Sequence, residues 1–558
     1  MKLTGSQIIV ECLLEQGVDT VFGYPGGAVL NIYDTLYQYS GRIRHIITAH
    51  EQGAAHAADG YARSTGRTGV VIATSGPGAT NLVTGIATAY MDSIPVVAIT
   101  GNVSCSLLGL DSFQEVDITG ITMPVTKHNY IVKDVTKLAD VVREAFIIAN
   151  SGRKGPVLID VPKDITAAVT EFTPAAVPKA RPVENIFTVE EVEETIRLIE
   201  QSECPMIYAG GGVISSGASE ELSLLAELCD APVSCSLMGL GGFDACSTRY
   251  VGMLGMHGTV PSYKAITGCD LFLGIGTRFS DRVICDIHSF APNAKMVHID
   301  IDPAEVNKNL AVDHALIGDI KQVLKALCKK LPRQNHNVWM NRIAGWKTEH
   351  PLKQVSPSGG VTPEQVIKTL CRLTNHEAII TTEVGQHQMW TAQFYEFRHP
   401  RQFCSSGGLG TMGYGLGAAI GAQIANPGKR VVNIAGDGSF HMNCNELVTA
   451  YKFGVPIVEL LFNNNVLGMV RQWQRLFYEG RFSQTTLDRN TDYMKLAEAY
   501  HVKGLQIKTP KDVEPVLAEA LACDGPVLVE CLIDQDINVL PMVPAGASID
   551  KPILEMKV

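Results

Sequence analysis

The chain is short of cationic charge, of aromatic residues and of patterned cysteines. Lys and Arg total 46 against 57 Asp and Glu, a net charge of −11. A surface of that sign does not gather phosphates, so a nucleic-acid partner is excluded. Charged residues make up only 18% and the apolar set 46%, which excludes a disordered chain or a coiled coil. The fourteen cysteines include no CxxC and no Cys/His ligand spacing. They read as reduced, mostly buried thiols of a cytoplasmic protein. No run of 18 or more apolar residues offers a membrane span. The opening MKLTGSQIIVECLLEQG is broken by Glu11, Glu15 and Gln16, unlike a signal peptide. What the 558 residues do offer is length for three or four domains that fold without disulfide or metal staples.

Strand and helix patterns alternate from the start. Ile43 to Thr48, Val70 to Thr74, Val96 to Thr100 and Val157 to Val161 are short apolar β-type runs ending in Gly, Pro, Asp or Ser. Alternation of this kind implies parallel sheets covered by helices on both faces. Residues 173–187 hold three prolines and little periodicity, as a linker does. A second αβ pattern runs to about 335, and residues 333–362 read as another polar linker ending in SPSGGVTP. The expected architecture is therefore α/β, with three doubly wound parallel-sheet domains at 1–172, 188–335 and 363–535. A tail at 536–558 would lie on the surface or over a site.

Chemistry concentrates in the third domain. Arg430 to Ala435 reads as a buried strand, followed by GDGSF at 436–440 and a helical stretch to about Phe453. Val455 to Phe462 is the next strand, followed by Asn463, Asn464 and Asn465. Taken separately, GDG and NNN are turn signals. Across one βαβ crossover, however, both sit at the carboxyl ends of parallel strands, where two side-chain oxygens can converge. Glycines there let the backbone approach a large anion, and a helix N-terminus offers free N–H groups to phosphate. Two protein oxygens plus phosphate oxygens and water suit Mg²⁺. Glu51 follows the run HIITAH and opens a helix; by itself it is a carboxylate favoured by the helix dipole, worth about 0.3–1 kcal/mol.

GDG with an Asn 27 positions after its Asp resembles the diphosphate motif of thiamine-diphosphate enzymes, and AHEQGAAHAADGYARSTG resembles the segment carrying their activating glutamate. VFGYPGGAVL (21–30), ATSGPGATNLVTGIATAYMDSIPVVAITG (73–101), GPVLIDVPKDI (155–165), GMHG (255–258), TRFSDR (277–282), HIDIDPAE (298–305) and GMVRQWQ (468–474) extend the likeness over nearly the whole chain. They resemble the catalytic subunit of biosynthetic acetolactate (acetohydroxyacid) synthases. One departure stands at Gly109-Leu110-Asp111-Ser112 before Phe113-Gln114-Glu115, where that family reads GTDAFQE.

The resemblance implies thiamine diphosphate, Mg²⁺ and FAD as cofactors. Mg²⁺ would take Asp437, Asn464 and the Val466 carbonyl. The triplet's register is set by aligning the following GMVRQWQ. Glu51 would act on the cofactor's pyrimidine ring; Gln386, His387, Gly410 and Met412 would contact the cofactor, Gly438 and Ser439 its diphosphate, and Met442 would prop its bent shape. Gln114, Lys163, Met469 and Trp473 would line the substrate channel, with Trp473 favouring 2-ketobutyrate. For FAD, the Gly-rich turns of domain two fall short of GxGxxG, so the assignment rests on the resemblance: Arg153, Gly211, Gly212, Met256, His257, Gly276, Arg278, Asp300 and Asp319. Gly408 to Gly413 does fit GxGxxG but lacks a convincing preceding strand, and is assigned to the thiamine site.

The implied reaction joins the two-carbon unit of pyruvate, after loss of carbon dioxide, to a second 2-keto acid. The implied assembly is a homodimer or homotetramer with sites between chains, and a small regulatory subunit is a further implied partner. The competing readings are a flavin-containing pyruvate oxidase or glyoxylate carboligase, a flavin or nicotinamide oxidoreductase, and a non-catalytic paralogue.

Overall fold

The computed structural model describes residues 1–176 and 186–556. The expected linker at 173–187 lies mostly outside them. Three six-stranded sheets, all parallel, form the frame. In the first, the spatial order is Arg44–Ile47, Thr20–Tyr24, Gly69–Ala73, Val96–Asn102, Val157–Pro162, His128–Ile131. In the second it is Tyr250–Met253, Val233–Cys235, Pro205–Ala209, Leu271–Ile275, Lys295–Asp300, His314–Ile317. In the third it is Phe403–Cys404, Ile379–Thr382, Val431–Gly436, Val458–Asn463, Val527–Leu532, Lys503–Ile507. The three α/β parallel-sheet domains expected from the alternation are present. The inner strands are buried on both faces, which is why their sequences are continuous apolar runs rather than alternating ones.

The polar stretch 333–362 is not simply a linker. Asn337–Glu349 is a helix in which Trp339 and Ile343 are buried, and Trp339 Nε1 donates to the carbonyl of Pro205 at 3.0 Å. Trp339, Ile343 and Trp346 stand at helical spacing on one face, a signal hidden by the polar residues between them. The tail is likewise packed in. Ile537, Val539, Met542, Val543 and Ile549 are buried, and the Val543 N–H donates to the Met256 carbonyl at 2.8 Å.

The first and third domains are joined by two helices in backbone contact, Glu51–Thr65 and Gly415–Ala425. Their facing residues are Gly and Ala. A Cβ at Gly421 would fall 1.8 Å from the Ala57 carbonyl oxygen, and one at Gly60 would fall 2.2 Å from that of Ala418. Beside them lies a buried polar junction. Arg63 Nε meets Asp59 at 2.5 Å and Arg63 Nη2 meets Asp92 at 2.9 Å, while the Tyr414 hydroxyl donates to Asp59 at 2.6 Å. Removing one partner of such a buried pair typically costs about 3–5 kcal/mol.

Gly421→Ala is therefore expected to destabilise the protein by about 1–3 kcal/mol through overpacking. Gly428→Ala, with no atom within 4 Å of the added carbon, is the neutral control. The urea unfolding midpoints of the two variants check this.

Candidate active site

Strands Val431–Gly436 and Val458–Asn463 are hydrogen-bonded neighbours, with Gly436 opposite Phe462. Their carboxyl ends open into a cavity lined by Gln386, His387, Met412, Asp437, Gly438, Ser439, Asn464, Val466 and Met469, among others. The triplet Asn463–Asn465 sorts itself by strand geometry. Asn463, the last strand residue, turns inward and donates to Glu530 at 2.7 Å, while Asn464 faces the cavity.

Asp437 is 3% exposed, and its carboxyl is pushed up to about 7 by burial, offset in part by backbone N–H groups of Asn465 and Gly438. A buried carboxylate held by amides alone is the donor a divalent cation stabilises. Across the cavity, His387 is buried and held neutral, its pKa pushed down to about 3 by desolvation, and its Nε2 has no partner. Its ring occupies space that only glycine leaves: a Cβ on Gly385 or Gly436 would sit 2.7 Å from imidazole atoms. Gln386 gives its amide N–H to Gln472 at 3.0 Å and to the Ile537 carbonyl, and keeps a buried, unpaired Oε1. An unpaired imidazole nitrogen, glycine walls and a buried carboxylate fit a bound diphosphate and its metal.

The supports are buried acids. Glu383 accepts N–H groups from Gly413 at 2.6 Å and Gly415 at 2.8 Å, and burial pushes its carboxyl up to about 7. That bond fixes the turn that brings Met412 to the cavity. It also explains why Gly408–Gly413 is not a dinucleotide turn, the preceding strand Phe403–Cys404 being two residues long.

The single helical stretch expected after GDGSF, to about Phe453, is instead two helices, Asp437–Asn443 and Leu447–Lys452, with a tight turn between. The break has a structural use. It directs Glu446, fully buried, at the first domain, where its carboxylate accepts the N–H groups of Ala49 at 3.1 Å and His50 at 3.0 Å. Gly53 is required there, because a Cβ would lie 2.1 Å from Glu446 Oε1. Sequence reasoning missed Glu446; its signal was an acid inside a mixed stretch with no special spacing.

Glu51 begins its helix immediately after this clamp and accepts from Asn81 Nδ2 at 2.9 Å. Gly78 and the strained Gly76 complete its surroundings; the Gly76 Cβ position falls 3.0 Å from the Gln114 Cα, so Gln114 belongs to this second cluster. Glu51, Gln114 and the exposed Lys163 do not line the cavity, whose lining runs from Val384 to Val470. Gly410 (φ +71°) is exposed and also stands outside the lining. Trp473 lies on the same helix as Met469, Gly468–Phe477, with the Arg282 guanidinium of the middle domain 5.2 Å above its ring. Met442, expected to prop the cofactor's bent shape, is 56% exposed in the single chain, and Met412 lines the cavity.

The flavin candidates gather at the carboxyl ends of the middle sheet. Gly276 (φ +60°) packs backbone to backbone on Gly212, whose N–H donates to the Gly276 carbonyl at 3.1 Å. Gly211 stands beside Met238. Arg278 bonds the Met91 carbonyl at 2.7 Å, and Arg153 pairs with Glu305 at 2.6 Å. Met256 is buried, and His257 is buried with Nδ1 unpaired, its pKa lowered to about 4 by desolvation. Asp300 closes its own turn through the Asp302 N–H, and Asp319 caps the helix Ile320–Lys330.

Three family models match in order. They are the N-terminal TPP binding domain of thiamine pyrophosphate enzymes over residues 3–121, the central domain over 192–327, and the C-terminal TPP binding domain over 383–531. The fold and site thus define a thiamine pyrophosphate enzyme. The chain is 46% identical over 546 residues to the acetolactate synthase isozyme 2 large subunit of Escherichia coli (strain K12), covering 98% of each chain. It is 45% identical over 577 residues to a probable acetolactate synthase large subunit of Methanocaldococcus jannaschii, covering 100% of this chain and 96% of the relative. It is 46% identical over 561 residues to an acetolactate synthase large subunit of Corynebacterium glutamicum, covering 98% and 89%. The chain belongs to the acetolactate synthase large-subunit family.

Glu446→Gln removes one of two acceptors for adjacent amides, a loss of about 1–3 kcal/mol. Hydrogen exchange at the Ala49 and His50 amides is expected to speed up tenfold or more, with exchange in the Val527–Leu532 strand unchanged.

Proposed function

We propose that the protein is an acetolactate synthase of branched-chain amino-acid biosynthesis. It decarboxylates pyruvate and ligates the two-carbon unit to a second pyruvate or to 2-ketobutyrate. The observation that carries this is the pairing of a buried, cation-seeking Asp437 with Asn464 in a cavity on a chain of this family. Thiamine diphosphate, when bound, supplies the electron sink for loss of carbon dioxide.

The residues divide the remaining work. Asp437, Asn464 and the Val466 carbonyl hold Mg²⁺, with Gly438 and Ser439 at the diphosphate. His387 Nε2 and Gln386 Oε1 orient the cofactor, and Met412 supplies the apolar wall for its bend. Glu51 holds and moves the proton at the pyrimidine ring. Met469 and Trp473 shape the pocket for the second keto acid, and Gln114 and Lys163 approach it from the first domain. Arg153, Gly276, Arg278 and Asp300 border the FAD groove, together with Gly211, Gly212, Met256, His257 and Asp319. The protein acts in the cytoplasm, and a small regulatory subunit is a partner.

Glu51 sits apart from the cavity of its own chain, just after the Ala49–His50 turn that Glu446 clamps. We infer that each site is completed between two copies in a homodimer or homotetramer, Glu51 from one and Asp437 from the other. Mixing inactive Glu51→Gln with inactive Asp437→Ala, with subunit exchange, is then expected to restore about a quarter of wild-type activity, since half the dimers are mixed and each carries one intact site. No recovery places both residues in one chain's site.

The identity test is a product assay with pyruvate, thiamine diphosphate, Mg²⁺ and FAD. The expected result is one acetolactate per carbon dioxide, with no oxygen consumed. Oxygen uptake matching pyruvate would make the protein an oxidase. In the same assay Met412→Ala is expected to raise the thiamine diphosphate needed for half-maximal rate at least tenfold. Met442→Ala should leave it within twofold.

A further inference from the structure

Away from the cavity, three chain segments bring a thiol, an imidazole and a carboxylate together at the seam between the middle and third domains. Cys246 Sγ lies 3.8 Å from Glu396 Oε2, and His376 Nδ1 lies 3.4 Å from the same oxygen. The three ligand atoms are within 4.8 Å of one another. Behind them the buried Cys371 Sγ is 3.2 Å from His376 Nδ1. A tetrahedral ion with bonds of about 2.0–2.3 Å keeps its ligand atoms about 3–4 Å apart, close to the separations of Glu396 Oε2 from Cys246 and His376.

The backbone holds these groups in place without a metal. The Ala245 N–H donates to the Phe397 carbonyl at 3.0 Å, which pins the Cys246 loop beside Glu396. The His376 N–H donates to the Cys371 carbonyl at 2.9 Å, and the His376 carbonyl accepts Gln402 Nε2 at 2.6 Å. Beneath them Tyr395, Phe397 and Phe403 stack with centroids 4.7 and 5.0 Å apart, a rigid floor.

We propose that Cys246, His376 and Glu396 form a second metal site, distinct from the Mg²⁺ site, for a thiophilic divalent ion of the zinc type. A thiolate, an imidazole and a carboxylate select such an ion over Mg²⁺, whose preferred donors are all oxygen. The site ties the middle domain, through Cys246, to the third, through the other two. Its spacing of 130 residues between Cys246 and His376 hides it from any local ligand pattern.

The test uses the full-length protein, stripped with a chelator and titrated with Co²⁺ and then Zn²⁺. The expected result is a thiolate-to-cobalt charge-transfer band that saturates at one equivalent per chain and is bleached by Zn²⁺. Co²⁺ in the all-oxygen Asp437 site gives no such band. Cys246→Ser and His376→Gln should each weaken Zn²⁺ binding at least a hundredfold. Cys523→Ser, a thiol outside the cluster, should leave it unchanged. Absence of a thiolate band in the wild-type protein, or a band that survives Cys246→Ser intact, overturns the proposal.

Discussion

The structure depends on how closely two helices approach. Glu51–Thr65 and Gly415–Ala425 touch through backbone atoms, and only Gly and Ala on the facing stripes permit it. Dispersion contacts at that distance are dense, and the Asp59–Arg63–Asp92 junction with Tyr414 closes the ends with charges that have nowhere else to go. The first domain therefore has one orientation on the third. The turn that carries Glu51 inherits that orientation through Glu446, and the segment that carries Met412 inherits it through the same helix and Glu383.

Buried acids recur throughout this arrangement, and they differ in purpose. Glu383 and Glu446 spend their oxygens on backbone N–H groups and so act as fixed staples. Glu459 meets Asn433, with both oxygens 2.9 Å from its amide nitrogen, and burial raises its pKa well above the usual carboxylate range. Asp437 is the one among these four that faces a cavity. Its burial is costly without a partner, and the cost becomes selectivity once a cation arrives.

Much of this was legible in the sequence because it is local. The GDG turn, the next strand and the Asn triplet lie within one crossover, so adjacency of two strands sufficed to bring Asp437 and Asn464 together. The three sheets announced themselves as apolar runs punctuated by Gly, Pro and Asp. What stayed hidden is non-local or masked by polar neighbours. Glu446 acts on residues nearly 400 positions earlier. Met412 and Met442 are both methionines near glycine-rich turns, and only the fold shows which of them faces inward. Trp339 and Ile343 were screened by the polar residues of a supposed linker. The short edge strands, such as Phe403–Cys404, carry too few residues to establish a period.

The buried stretch from Ile537 to Ile549 has a consequence for biosynthesis. Its carbonyls receive Gln386 and Gln472, and its side chains fill space between the middle and third domains. These residues leave the ribosome after all three sheets have been made. The cavity wall between Val384 and Val470 is thus backed by a segment made after it. A nascent chain can form its separate sheets during elongation, but it can seat this last strap only after the rest is out. Competence for cofactor is in this sense a late acquisition: a chain released before residue 537 would carry the strands of all three sheets and an unfinished wall.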